Sequence, residues 1–321
     1  MHRIVAVPRN GGGSRRQLLT LTLIPWYVDV GPDDTLYFEQ IDQSCEVLRF
    51  PSSGGAPERL GTSAGFRFGT VVELPGGRVL VPAELAGRSR LMVAERGREP
   101  IPLVDTTEET APPAAMVGDR HVAFMIGTSP RRAIAIASVA DGRIVRRLKG
   151  PSGDIESLAV STEGKTLYYA ASRKVWAIPV EDGKPRWIAD GDDVVAAPGG
   201  RELIVKLHEK DGSRLIRLPA SGTSGQAIPF HGDLRLTAMP LAPNAVAKDG
   251  RILVQVAALD SWFWRAAILD PSTGQVTRIP IDYEGDLFFS GWASDGRILA
   301  LGIGIKGGVW RFHPERAGEK P

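Results

Sequence analysis

The chain has 321 residues, 43% of them hydrophobic and 24% charged, which is enough to bury a large core and excludes a disordered or fibrous protein. Its 39 basic and 37 acidic residues leave a net charge of +2, so there is no global attraction to nucleic acid or anionic lipid. No apolar run approaches the ~18 residues of a membrane span, and MHRIVAVPRNGGG has no signal-like apolar core, so any export signal is expected outside this sequence. Cys45 is the only cysteine. It forbids an internal disulfide, has no base near it in sequence, and reads as a buried, inert thiol.

Paired turn residues recur along the chain at Asp33-Asp34, Gly76-Gly77, Gly118-Asp119, Glu163-Gly164, Gly199-Gly200, Asp249-Gly250 and Asp295-Gly296. Each pair separates two short β-type runs, as in VVELPGGRVLVPAEL, and such pairs supply the positive φ that a tight hairpin needs. Helical periodicity is nearly absent. Seven hairpins at a period near ~44 residues predict four-stranded propeller blades. The unit is most complete at Ile155–Asp190, where four strands (here A to D) are separated by Glu163-Gly164, Ser172-Arg173 and Glu181-Asp182-Gly183.

Third-strand copies fall at 3–8, 46–51, 90–95, 132–137, 174–179, 214–219, 265–270 and 308–313. Fourth-strand copies fall at 17–23, 56–60, 99–104, 143–148, 185–189, 226–230 and 275–281. Seven hairpins and seven D strands predict an all-β, seven-bladed propeller of four-stranded antiparallel blades, closed by an N-terminal strand. The blades are expected at 25–61, 66–104, 111–149, 154–190, 193–231, 240–281 and 286–314 plus 17–23, within a single domain spanning 1–321. The C-like copy at 3–8 is surplus; it would add an outer strand, compete with 309–312 or lie outside the fold.

The repeating phrase "strand, S-x-D/E-G-K/R, strand, strand ending in Pro" resembles the WD40-like PD40 repeats of TolB-type propellers. STEGKTLYYAASRKVWAIPVEDGKPRWIAD and ASDGRILALGIGIKGGVWRFHP carry it best, and the hairpins at 33–34 and 118–119 are degraded. IVAVPRNGGGSRRQLL and WAIPVEDGKPRWI also look like repeats in the C-terminal sensor propellers of bacterial Ser/Thr kinases, although no kinase motif is present. The resemblance implies a propeller that serves as a binding module, an enzyme gate or a sensor, or as the accessory domain of a larger kinase or peptidase.

Candidate functional residues are sparse. Gly61-Thr62-Ser63-Ala64-Gly65 matches G-x-S-x-G formally, but it precedes a β run rather than a helix, so it reads as an inter-blade loop. His2, His121, His208, His231 and His313 lack metal-ligand spacing. Arg131-Arg132 and Arg146-Arg147 lack interleaved aromatics and read as solvated outer strands rather than a nucleic-acid surface. Carboxylates recur before or at the start of A strands: Asp154, Glu156, Asp192, Asp193, Asp233 and Asp286. Connections from D to the next A gather around the mouth of a propeller channel. These carboxylates, with Arg67, could therefore line a ligand site or hold Ca²⁺ there; Gly-Asp is equally ordinary turn chemistry. Trp262 and Trp264, at a B-to-C turn, form a candidate recognition patch or pack into the blade. Trp176, Trp187, Trp292 and Trp310 are expected between blades.

The reading is a non-enzymatic binding or sensor module for a protein, peptide or small ligand, monomeric and without cofactor. A lyase or hydrolase using a channel-mouth cation is the alternative.

Overall fold

The computed structural model describes residues 2–10, 13–22, 25–62, 65–129, 131–148, 154–181, 183–222 and 224–313. Almost every described element is a β-strand, and the chain divides into two compact units, one spanning 45–303 and the other 1–44 with 304–321.

The larger unit is a propeller of six blades, not seven. Blade I has Val72–Glu73, Val79–Leu85, Arg88–Ala94 and Ile101–Pro102 as strands A to D. Blade II has Thr110–Val117, His121–Ile126, Ala133–Ser138 and Ile144–Leu148. Blade III has Ile155–Val160, Thr166–Ala171, Lys174–Pro179 and Arg186–Asp190. Blade IV has Asp193–Ala196, Glu202–Glu209, Gly212–Pro219 and Gln226–Ile228. Blade V has Arg235–Leu236, Ile252–Ala257, Arg265–Leu269 and Val276–Arg278. In all five the strand order follows the chain and neighbours are antiparallel.

Blade VI is built from both ends of the sequence. Its A strand is Asp286–Trp292 and its B strand is the first part of Ile298–Phe312, whose residues 298–303 pair with A. Its C strand is the last part of Leu36–Phe50, and its D strand is Glu58–Thr62. Closure therefore joins two strands from each end, and the expected closing strand at 17–23 is not part of it. Arg16–Leu21 instead pairs with His2–Ala6 in a separate two-stranded sheet, which accounts for the surplus copy at 3–8.

The physical source of the miscount is strand length. The hairpin at Asp33-Asp34 exists, with Pro25–Val30 antiparallel to residues 36–40, but it begins no blade. The strand after it continues without a turn from Leu36 to Phe50, because EQIDQSC (39–45) contains no Gly or Pro to reverse it. The expected third strand at 308–313 is likewise the continuation of the strand that starts at Ile298.

The A–B hairpins show why the turn motif recurs. In Asp249-Gly250-Arg251, Gly250 takes φ +89°, the Asp249 carboxylate accepts the Arg251 N–H at 3.1 Å, and Arg251 Nε donates to Asp249 at 2.8 Å. Asp295-Gly296-Arg297 repeats this at 3.0 and 2.9 Å. The acid both closes an Asx turn and pairs with the base two residues on.

Blade I meets blade VI through two glutamates. Glu73 accepts from Arg49 at 3.0 Å and from the Ser294 N–H at 2.6 Å, largely buried. Glu58 bridges Arg96 and Arg297 at 3.1 and 2.9 Å. On the far side of blade VI, Gly55 donates to the Pro280 carbonyl at 2.9 Å. Cys45 is buried at the start of the C segment, and burial pushes its thiol pKa up, as expected for an inert cysteine.

Blade IV is tied to both neighbours by a fully buried pair. Lys206 is 0% exposed and donates to the Met239 carbonyl of blade V's irregular inner segment at 2.5 Å. Asp193 is 1% exposed, accepts from the Leu241 N–H at 2.5 Å and bonds Ser157 of blade III. Burial lowers the Lys206 pKa to about 8 against the Asp193 charge, and raises that of Asp193 against the Leu241 N–H and the Lys206 charge, so each charge favours the other. Removing one partner of such a pair costs ~3–5 kcal/mol. Lys206→Met is predicted to lose that much in urea unfolding, and Lys206→Met with Asp193→Asn to recover most of it. A single variant within ~1 kcal/mol of the parent would contradict the assignment.

Candidate functional site

Antiparallel order places every D–A connection and every B–C turn at one end of the blades, and the A–B hairpins at the other. The expected site residues all belong to that first end.

The carboxylates do not share one role. Asp193 is engaged between blades III, IV and V as described. Asp192, also buried, accepts the His208 N–H at 2.7 Å and pairs with Arg173 of blade III at 3.4 Å. Asp286 is half-buried and accepts the Trp264 N–H of blade V at 2.7 Å. Burial raises its pKa, against that hydrogen bond and the nearby Arg265. Thr110 plays the same part between blades I and II, its Oγ1 accepting the Leu91 N–H at 2.8 Å. A short acceptor at the head of an A strand thus captures an N–H of the preceding blade's C strand. This tethering position recurs because each blade must dock on the last, and Gly-Asp in sequence marks it at Asp286.

Four of the six carboxylates are close enough to interact. Asp154 is exposed and accepts from Ser129 Oγ at 3.1 Å. Glu156 is exposed at its edge, and its pKa is raised, chiefly by partial burial, then by the charges of Asp192, Asp193 and Asp154, with His208 opposing. Asp233 is exposed on the connection from blade IV to blade V, and Asp286 has Trp264 and Arg265 as its partners rather than the other acids. Among the described residues, no group of three or more His, Cys, Asp or Glu side chains is placed to hold a metal ion. Arg67 is exposed, pairs with Glu84 at 3.3 Å and donates to the Phe66 carbonyl at 3.0 Å. Ser63 and Ala64 of the G-x-S-x-G match, and Gly153 before Asp154, lie outside the described residues.

The two tryptophans part company. Trp264 packs on Phe288 of blade VI with ring centroids 5.5 Å apart, as an inter-blade contact. Trp262 is 100% exposed and Leu259, on the same loop, is 93% exposed. Hydrogen bonds nonetheless brace the loop that holds them. Ser261 Oγ donates to the Phe263 carbonyl at 2.9 Å and accepts from the Phe263 N–H at 3.1 Å and from Arg265 Nε at 3.2 Å. Arg265 lies over the Phe263 ring, its guanidinium carbon 5.4 Å from the centroid, and Arg278 grips Asp260 at 2.8 Å. Trp187 and Trp310, expected between blades, are about half exposed.

A second aromatic group lies at the blade I–VI junction, where the sequence pointed only to Arg67. Phe68, 47% exposed, packs edge-on against Phe288 at 4.8 Å and beside Phe289 at 5.0 Å. The strand register shifts between Phe288 and Gly291, and Phe289 takes φ +50°, a strained conformation for a bulky residue. Two adjacent phenylalanines in FFSG were the available signal. Alternation alone would send them to opposite sides of the blade; the bulge lets both reach Phe68.

No family model matches the sequence, and no curated protein matches it. Solved structures do. A protein described as TolB from Agrobacterium tumefaciens aligns over 82% of this chain and 99% of its own, with a TM-score of 0.63 at 14% identity. A gluconolactonase from Xanthomonas campestris aligns over 81% of this chain and 95% of its own, at 0.52 and 14%. The tricorn protease aligns over 93% of this chain and 39% of its own, at 0.50 and 12%. The fold is that of the TolB-type propellers.

The acidic edge makes a checkable statement about charge. A raised Glu156 pKa means the folded state holds that proton to higher pH than the unfolded chain. Its contribution to stability is lost as pH rises through the folded value. In a carboxyl-detected NMR titration, Glu156 is expected above the ordinary glutamate range, and Asp192→Asn should move it downward while burial holds it partly raised. An unshifted Glu156 in the variant would contradict the coupling.

Proposed function

We propose that the chain is a non-enzymatic binding module that recognises a protein or peptide partner on the end of the propeller bearing the D–A connections and B–C turns. The observation that carries this reading is Trp262, wholly exposed on a loop braced by Ser261, Arg265 and the Asp260–Arg278 pair. A large aromatic in water on a flexible loop would lose much of its binding energy to ordering. On a braced loop that cost has already been met by folding, the arrangement expected of an interface anchor. Leu259 beside it and the half-exposed Phe68 over Phe288 supply further apolar area on the same end.

The fate of the carboxylates supports the same reading. Asp192, Asp193 and Asp286 each accept a backbone N–H, which orients them for holding the blades rather than for acid–base chemistry on a ligand. The TolB-type fold is compatible with binding and with catalysis alike, so the weight rests on the loop.

Peptides selected from a random display library against the immobilised protein provide the test. Truncating an anchor residue costs at least ~2 kcal/mol, about thirty-fold in affinity. Trp262→Ala is therefore expected to weaken the selected peptides by that order, with unfolding midpoints unchanged because Trp262 packs on nothing. Selected peptides that bind the variant as tightly as the parent would overturn the reading.

A further inference from the structure

Two short strands flank the connection between blades IV and V. The D strand of blade IV stops after three residues, Gln226–Ile228, and the A strand of blade V has only Arg235–Leu236. The connection between them, 229–234, is held to blade V by the His231 N–H, which donates to the Gly274 carbonyl at 2.9 Å, and a groove of about 890 Å³ lies against the B–C turn of blade IV. That volume is in the range of small-molecule sites.

The lining is two-sided. Its floor is apolar, formed by Leu215, Ile228, Leu236 and Leu269, all buried, with Phe230 and Leu234 half-exposed above them. Its rim is cationic, with Lys210, Arg214 and Arg235 against a single lining carboxylate, Asp211. Arg214 is paired with Glu209 at 2.5 Å. Among the described residues, neither Lys210 nor Arg235 forms an ion pair. The comparable groove on the opposite end of the same two blades is different: Arg217, Lys248 and Arg251 there are balanced by Glu202, Asp249 and Asp270.

We infer that the groove between blades IV and V binds a small amphiphilic carboxylate, its hydrocarbon or aryl body on the apolar floor and its carboxylate between Lys210 and Arg235. The hydrocarbon supplies the free energy through burial, at ~25 cal/mol per Å². The two unpaired cations choose the sign of the head group, which an apolar floor alone could not do. The inference does not rest on Trp262, which does not line the groove.

Isothermal titration of the purified chain with decanoate, below its micellar concentration, tests it. The expected result is saturable binding of one equivalent, with 1-decanol at least ten-fold weaker and decyltrimethylammonium not binding. Lys210→Glu with Arg235→Glu, both exposed and so without effect on the melting temperature, should weaken decanoate at least ten-fold. Leu234→Asp should abolish binding, whereas Trp262→Ala should leave it unchanged. Equal binding of the cationic and anionic amphiphiles, or decanoate binding indifferent to the charge reversal, would overturn the inference. Those results would leave the peptide reading standing.

Discussion

A sheet edge must be paired or protected, and in a propeller the severest case is the junction where the two ends of the chain meet. Here that junction is solved inside blade VI, where Asp286–Trp292 and the start of Ile298–Phe312 are completed by the end of Leu36–Phe50 and by Glu58–Thr62. Five blades then form from sequence-local hairpins, and the sixth holds them as a ring. Glu73 and Glu58, one on each side of the I–VI junction, add buried and half-exposed ion pairs where local connectivity contributes nothing.

Docking one blade on the next sets the second constraint. Inner strands lie close together and bury backbone donors at their ends, so an acceptor is needed at the head of each A strand. Thr110 and Asp286 each accept an N–H from the preceding blade, whereas Asp193 accepts from Leu241 of the following one, with the Lys206 charge nearby. The acids that sequence alone gathers around a mouth are therefore divided by this geometry. Some belong to the architecture, and Asp154, Glu156 and Asp233 remain on the surface. The same end also exposes Trp262 and Leu259 on a braced loop and carries the groove rimmed by Lys210 and Arg235.

Much of this was legible in the residues. The four-strand unit at 155–190 appears as written, because period-two alternation and turn glycines are local signals. Gly164, Gly200, Gly250 and Gly296 all take the positive φ that the turn pattern implies. Blade number was not legible by counting hairpins, since a hairpin at 33–34 can belong to a strand that runs on for fifteen residues. The missing turn in EQIDQSC was the clue. Trp262 and Trp264 share strand parity, which suggested one face. Only the packing of Phe288 shows that one of them is taken up inside the fold. The groove has no sequence motif at all; it lies where two short strands are joined by an irregular connection.

Hydrogen exchange read by mass spectrometry examines the closure directly. The two-plus-two blade predicts that residues 45–50 and 298–303 exchange as slowly as the inner strand 122–126, through global opening of the ring. Residues 16–21, outside the ring, should exchange faster. Rapid exchange at 45–50 together with slow exchange at 16–21 would contradict the account and restore a ring closed by the N-terminal strand.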